Sequence, residues 1–302
     1  MKRYFIYFYL LLFALTITSC SDFLKEDPKG RLTPDNYYSS QEELDMAVYA
    51  LYNKVCATQA SSYPMQIAWQ GDDITTNPSS NKQNFADMDA FHPSDGTAGV
   101  TWSWKTSYAV IKAANDIINN AEKTPTSEDE KNIAIGQAKY WRALNYFLLV
   151  KRFGPVPLNI NGDFDYNRPL TSVEDIYKQV VTDLQACITI LPTKYKEEPR
   201  TIGGANIYIT KQAAQATLAA VYMAMAGWPL QKTEYYKEAA ELSKAVIDGV
   251  NSGIYEYILE TDFMCMHRVT TIPMRLLLVL ISRVHLDGMK ILNYQKVISL
   301  NH

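Results

Sequence analysis

From Trp104 to Gly249 apolar residues recur at helical spacing, and each run stops at a glycine or a proline. The clearest run is Val173, Ile176, Tyr177, Val180, Leu184 and Leu191, three, four or seven residues apart and therefore on one stripe. It starts at a capping-box pattern, Thr171-Ser-Val-Glu174, and halts at Pro192. The same logic predicts helices over Lys105–Glu122, Glu128–Phe153, Thr210 to Gly227, and Thr233–Asp248. Gly154-Pro155, Gly227-Trp-Pro229 and Gly249 end them, since proline lacks the N–H and glycine tolerates the left-handed exit. Upstream, Ser40-Gln-Glu-Glu43 is a second capping box, and Leu44, Ala47, Val48, Leu51 and Val55 form one apolar face ending near Cys56. The fold class that follows is mainly α.

The fourth predicted helix carries Ala213, Ala214, Ala216, Ala219, Ala220 and Ala224. Small residues on several faces let neighbouring helices approach closely. Alanine-rich paired helices, with Tyr235-Tyr236 opening the next one, resemble degenerate tetratricopeptide units. Such a stack is a scaffold, and its loops do the recognising.

Composition narrows the function. The 302 residues are 47% hydrophobic and 20% charged, which is enough apolar material for a core. A formal charge of −3 gives no basic surface for nucleic acid. There are 21 tyrosines, which suit polar ligands and also pack well between helices. Cys56, Cys187 and Cys265 make neither a disulfide framework nor a C-x-x-C pair, and the four histidines form no H-x-x-x-H pair. No metal site is expected. No G-x-S-x-G or H-E-x-x-H occurs, and adjacent carboxylates such as Glu197-Glu198 do not by themselves flank a glycosidic bond. Arg200-Thr-Ile-Gly-Gly204 has no Walker lysine and reads as a flexible loop.

The beginning of the chain fixes a location. Lys2 and Arg3 precede an apolar run from Tyr4 to Ile17, the make-up of a secretory signal and too short to span a bilayer. The run ends in Ile17-Thr18-Ser19-Cys20, which resembles a bacterial lipobox. That resemblance implies that residues 1–19 are a lipoprotein signal peptide and that Cys20 carries the lipid, with acyl chains at about 0.8 kcal/mol per buried methylene holding the chain on a membrane. The other reading is a cysteine that happens to follow a signal sequence.

Thr58 to Ser103 differs from the rest. It is rich in Gly, Pro, Asp and Asn, with aromatics scattered through it. Long irregular segments of this kind are functional or disordered, and the aromatics argue against disorder. Sugars are held by aromatic faces and by Asp, Asn or Arg on their hydroxyls. Trp69, Asp72, Asp73, Phe91 and Trp102 are the ligand-binding candidates. The competing reading has Trp69 and Phe91 anchoring a loop, and Asp72 and Asp73 making a turn beside Gly71. Asp87 and Asp89 add oxygen ligands, but without an EF-hand pattern. Trp104 is expected in the scaffold core. Lys139 and Arg142 are expected in buried pairs or caps rather than on ligand.

Several segments together resemble one family. "CSDFLKEDP" from Cys20 is similar to the mature start of SusD/RagB-like outer-membrane lipoproteins. Trp104, Tyr108, Ile111 and Asn115 match the helix after that family's first large loop, and "QAKYWRALNYFLLVKRFGPVPL" from Gln137 resembles its most characteristic helix and exit. "ITKQAAQATLAAVYMAMAGWPLQKTEYYKEAAELSKAVID" from Ile209 resembles its later tetratricopeptide pair. The resemblance implies a tetratricopeptide-like helical scaffold carrying long irregular ligand-binding loops. It implies a non-enzymatic protein, lipid-anchored to the outer membrane and facing outward. Such a protein captures oligosaccharides or other nutrients for a SusC-like TonB-dependent transporter, with no cofactor. A tetratricopeptide-type scaffold that binds envelope proteins is the alternative. Residues 20–262 correspond to the N-terminal part of such a domain. Residues 263–302 do not resemble the family, and two explanations stand: a frameshift near Phe263, leaving the domain incomplete at its C-terminus, or a divergent tail.

Overall fold

The computed structural model describes residues 37–58, 69–71, 73–76, 82–161, 165, 167–196, 199–202 and 205–251. Residues 1–36, with Cys20, lie outside the described residues, as do Asp72 and the tail 263–302. The chain divides after Tyr37, and every element named below belongs to the second unit, Tyr38–His302. The described residues form seven α-helices: α1 Gln41–Ala57, α2 Gln83–Asp89, α3 Ala98–Asn120, α4 Glu128–Phe153, α5 Val173–Ile190, α6 Lys211–Ala226 and α7 Tyr235–Asn251. Two two-stranded antiparallel pairs join them, β1 Val156–Pro157 with β2 Leu170–Thr171, and β3 Thr201–Ile202 with β4 Ala205–Asn206. The fold is mainly helical, as the periodicity predicts.

From α3 onward each helix packs on the next: α3 on α4, α4 on α5, α5 on α6, α6 on α7. That neighbour-to-neighbour order is the signature of a helical stack. Helix α1 closes one side by packing on both α3 and α4. Its apolar face, Leu44, Ala47, Val48, Leu51 and Val55, is buried as its spacing predicts. Helix α6 is buried on most of its surface, because alanines let α5 and α7 come close on either side. Gly136 is a second close approach. A methyl group there would lie 2.4 Å from Cδ2 of the buried Leu191, so α4 meets the end of α5 with no room for a side chain.

The helix ends follow local chemistry, with instructive shifts. Ser40 accepts from the Glu43 amide at 3.3 Å, but Glu43 reaches back to the amide and hydroxyl of Ser39, both at 2.7 Å, rather than to Ser40. In α5 the box is one residue later than Thr171-to-Glu174: Ser172 accepts from the Asp175 amide at 3.1 Å. Helix α3 begins at Ala98, seven residues before the predicted Lys105. Its N-cap Thr97 makes no capping bond with its side chain; Asn84 of α2 accepts from the Ala98 amide instead, at 2.9 Å. The expected loop from Arg200 contains the β3–β4 hairpin.

Two polar nodes on α4 tie the stack together. Arg142 is buried and grips Asp183 of α5 with both arms, Nε to Oδ2 at 2.8 Å and Nη2 to Oδ1 at 2.7 Å. Its Nη1 donates to Asn115 Oδ1 of α3 at 2.8 Å, and Asn115 Nδ2 donates to the Asn159 carbonyl at 2.9 Å. The expected buried pairing of Arg142 is therefore present, while Lys139 is only half-buried. Five residues earlier, Gln137 Oε1 accepts from Tyr52 Oη of α1 at 2.5 Å and from the Ile209 amide at 2.9 Å. Its Nε2 donates to Tyr195 Oη and to the Ile209 carbonyl, both at 3.0 Å. Most of the tyrosines placed in this interior pack and bond rather than wait for ligand. Trp104, expected in the core, is half-buried, with its ring 5.0 Å from Tyr108 and 5.2 Å from Phe153.

Two measurements check this interior. Asp183→Ala strands a buried guanidinium, and breaking such a pair costs about 3–5 kcal/mol; denaturant unfolding should show that loss, whereas a change under about 1 kcal/mol would place the pair among weak surface bridges. The second is alkaline. Burial holds the hydroxyls of Tyr52, Tyr140 and Tyr146 well above the ordinary 10. The unfolded chain ionises near 10 and the folded one does not, so this contribution is full below that pH and is lost above it. Tyrosinate absorbance from these residues should rise together with loss of helical circular dichroism, not before it.

Candidate functional site

The segment predicted as irregular is organised by α2. Seven residues without a side-chain cap make a weak helix, so its place depends on the bonds around it. On one side Asp89 Oδ2 accepts from the Thr76 amide at 2.7 Å and from Thr75 Oγ1 at 3.0 Å. Gln70 Nε2 reaches Met88 Sδ at 3.7 Å, and Trp69 packs edge-on to Phe85 with centroids 5.1 Å apart. On the other side Asp87 Oδ2 accepts from Thr97 Oγ1 at 3.3 Å, and Asn84 caps α3. Both strips of loop are thus pinned to one short helix, and α3 sets that helix on the scaffold. Asp87 and Asp89 serve as loop braces in this arrangement, and among the described residues no group of three or more His, Cys, Asp or Glu side chains could hold a metal ion.

Helix α2 ends in an unusual way. Phe91 N donates to the Met88 carbonyl at 3.1 Å and His92 N to the Asp87 carbonyl at 2.8 Å. These are the two bonds of a Schellman ending. The residue at its left-handed position is Phe91, with φ 53°. Glycine belongs there; a side chain costs about 1–2 kcal/mol. The same phenylalanine is 69% exposed. A large aromatic held in a costly conformation and turned to solvent gains nothing for stability. Strain of this kind clusters at functional positions.

The other candidates fall in different settings. Trp69 has its ring against Phe85 and its Nε1 buried without a partner, so it anchors the loop onto α2. Asp73 is exposed and follows Gly71, where a side chain would collide with the Asp73 carboxylate at 2.5 Å. That closeness fits a turn that glycine makes possible. Trp102 is on the first turns of α3, not in a loop. With Arg152 and Asn145 of α4 it lines a recess of about 20 Å³, room for one water. Phe91 and Asp73 are therefore the candidates whose side chains face solvent, on loops that α2 braces. No local pattern signals the positive φ at Phe91, because that requires knowing where a seven-residue helix stops.

This architecture, a helical stack with aromatic-bearing loops pinned to its N-terminal side, defines a class. The family model described as "Starch-binding associating with outer membrane", a SusD-like family, matches residues 22–223. The chain belongs to the SusD-like family. It is 28% identical over 272 residues to SusD-like protein P2 of Formosa agariphila, covering 87% of this chain and 49% of that one. It is 30% identical over 224 residues to a SusD-like protein of Bacteroides ovatus, covering 71% and 38%. The chain thus spans half or less of the length of these relatives. Among solved structures, a SusD homologue from Bacteroides thetaiotaomicron superposes with a TM-score of 0.63 at 23% identity, over 76% of this chain and 44% of the other. A crystal structure with xylogluco-oligosaccharide superposes with a TM-score of 0.57 at 25% identity, over 68% and 40%.

The Schellman ending yields a paired expectation. Phe91→Gly should raise thermal stability, by up to about 1 kcal/mol from relief of the left-handed strain. A fall in stability would mean that the Phe91 ring packs as a structural residue.

Proposed function

We propose that this chain is a non-enzymatic, surface-exposed glycan-binding lipoprotein of the outer membrane, tethered through Cys20, that passes oligosaccharides to a SusC-like TonB-dependent transporter. The observation that carries the reading is the family match over residues 22–223, whose description is starch binding in association with the outer membrane. The relative crystallised with xylogluco-oligosaccharide supports a glycan as ligand class. The chemistry of the braced loops agrees: Phe91 offers a ring to sugar C–H faces, and Asp73 a carboxylate to hydroxyls. Trp69 supports its loop by packing on Phe85 of α2; Asp72, outside the described residues, and Trp102, on α3, remain ligand candidates of this reading.

The mechanism asked of such a protein is capture and release. The helices supply the mount, and the bonds to α2 hold the loop strips in place, so less ordering entropy is lost on binding. A ring stacked on a pyranose contributes modestly, roughly 0.5–1.5 kcal/mol. Several weak contacts of that size suit a protein that must hand its ligand on. The lipid at Cys20 would raise the local concentration at the transporter without any contact of its own.

Calorimetry of the full chain against xyloglucan, laminarin and maltodextrin oligosaccharides should give binding to at least one, weakened several-fold by Phe91→Ala with unfolding unchanged. Turnover of any of these sugars would overturn the non-enzymatic reading. In cells, Cys20→Ser should move the protein from the membrane fraction to the soluble one; retention in the membrane would remove the lipid tether.

A further inference from the structure

Away from the α2 loops lies a cleft of about 660 Å³ between α1, the first turns of α4, and residues 192–196 and 199–200. The volume is in the range of about 300–1,000 Å³ usual for small-molecule sites. Its lining shares no residue with the α2 platform. One wall is a rigid polar lattice. Arg200 grips Glu130 with a two-armed fork, Nη1 to Oε1 at 3.1 Å and Nη2 to Oε2. Gln41 of α1 donates to the same Glu130 oxygen at 3.3 Å and accepts from Thr126 Oγ1. Asp45 stands 3.8 Å from Arg200. The guanidinium also lies over the Tyr208 ring, 6.0 Å from its centroid. Three elements distant in sequence thus hold one another in register before any ligand arrives.

The chemistry of this lining selects a kind of ligand. Asp45, Asp129 and Glu130 face Arg200, Lys194 and Lys196 within it, so the charges balance and no net field favours an ion. Donors and acceptors both line the walls, which suits a molecule that both donates and accepts at each oxygen. Tyr49 of α1 lines the cleft and is 37% exposed, leaving ring surface free at the edge. Pro192, Pro199 and Ile133 add apolar patches between the polar groups. We infer that this cleft is a second binding site, for a neutral hydroxyl-rich ligand of one to a few sugar units, with Tyr49 as the stacking face and Asp129 and the Arg200–Glu130 fork as hydroxyl partners.

The inference rests on the glycan reading for its choice of probe, and the test separates the two. Xyloglucan heptasaccharide and laminarihexaose are titrated into the full chain by saturation-transfer NMR, in four backgrounds: unaltered, Phe91→Ala, Tyr49→Ala and Asp129→Ala, the last three also combined pairwise. Tyr49 and Asp129 are exposed, so thermal unfolding should stay within a few degrees of the parent. The expected result is residual binding in Phe91→Ala that falls about tenfold on adding Tyr49→Ala or Asp129→Ala. Binding that Phe91→Ala abolishes entirely, or that neither cleft substitution changes, overturns the cleft and leaves the loop platform standing. Binding lost through Tyr49→Ala and Asp129→Ala but indifferent to Phe91→Ala supports the cleft and overturns the loop platform. No binding of either sugar by the folded parent overturns the cleft site as stated.

Discussion

The fork between Arg142 and Asp183 is the contact on which the rest of the stack depends. It is buried at both ends, with side-chain exposure of 5% and 3%, so neither charge can fall back on water. A buried pair of this kind contributes little net energy against a well-packed apolar substitute, yet it is costly to break and exacting in geometry. Its value here is positional. A guanidinium on α4 with five donors in a fixed plane fixes α5 through Asp183, α3 through Asn115, and the chain beyond α4 through the Ile160 carbonyl. Three helices and an exit segment take their spacing from one side chain.

Gln137, a turn and a half earlier, does the same work for the other half of the scaffold with neutral groups. It joins α1 through Tyr52, the 191–200 connection through Tyr195, and the approach to α6 through Ile209. Together the two nodes make α4 the axis of the fold, which accounts for its dense burial from Ala134 to Val150. The loops inherit their order from that axis at one remove. Helix α4 sets α3, α3 receives its N-terminal cap from Asn84 of α2, and α2 holds both loop strips through Asp87 and Asp89. Loop binding of the kind proposed gains from such a chain of support, because a loop that must be ordered by its ligand gives up affinity in doing so.

How much of this was legible follows from which forces set each part. Helix α4, expected over roughly Glu128–Phe153, is found at those bounds, since Gly154 marks its end and its apolar residues repeat. The α3 start was missed by seven residues because its cap comes from Asn84, fourteen positions away, and no local signal records that. The α5 box was displaced by one residue because Thr171 and Ser172 compete for the cap, and Thr171 is taken into β2. The β3–β4 hairpin has two residues per strand, below the length at which alternation can be seen. Of the residues that composition singled out between Thr58 and Ser103, Phe91 and Asp73 are solvent-facing. What set Phe91 apart, a left-handed backbone under an exposed ring, arises from how α2 ends and has no counterpart in a sequence pattern. Trp102 looked like a loop residue because the α3 boundary was misplaced.

The proposed sugar-binding loops are those that α2 braces, mounted on the helical axis of α4. Hydrogen exchange of the full chain, measured with and without xyloglucan heptasaccharide, tests that proposal directly. Slowed exchange across residues 69–97 is expected on sugar binding, with the amides of α4 already slow and unchanged. Protection confined to α3–α7, with none in residues 69–97, would contradict it.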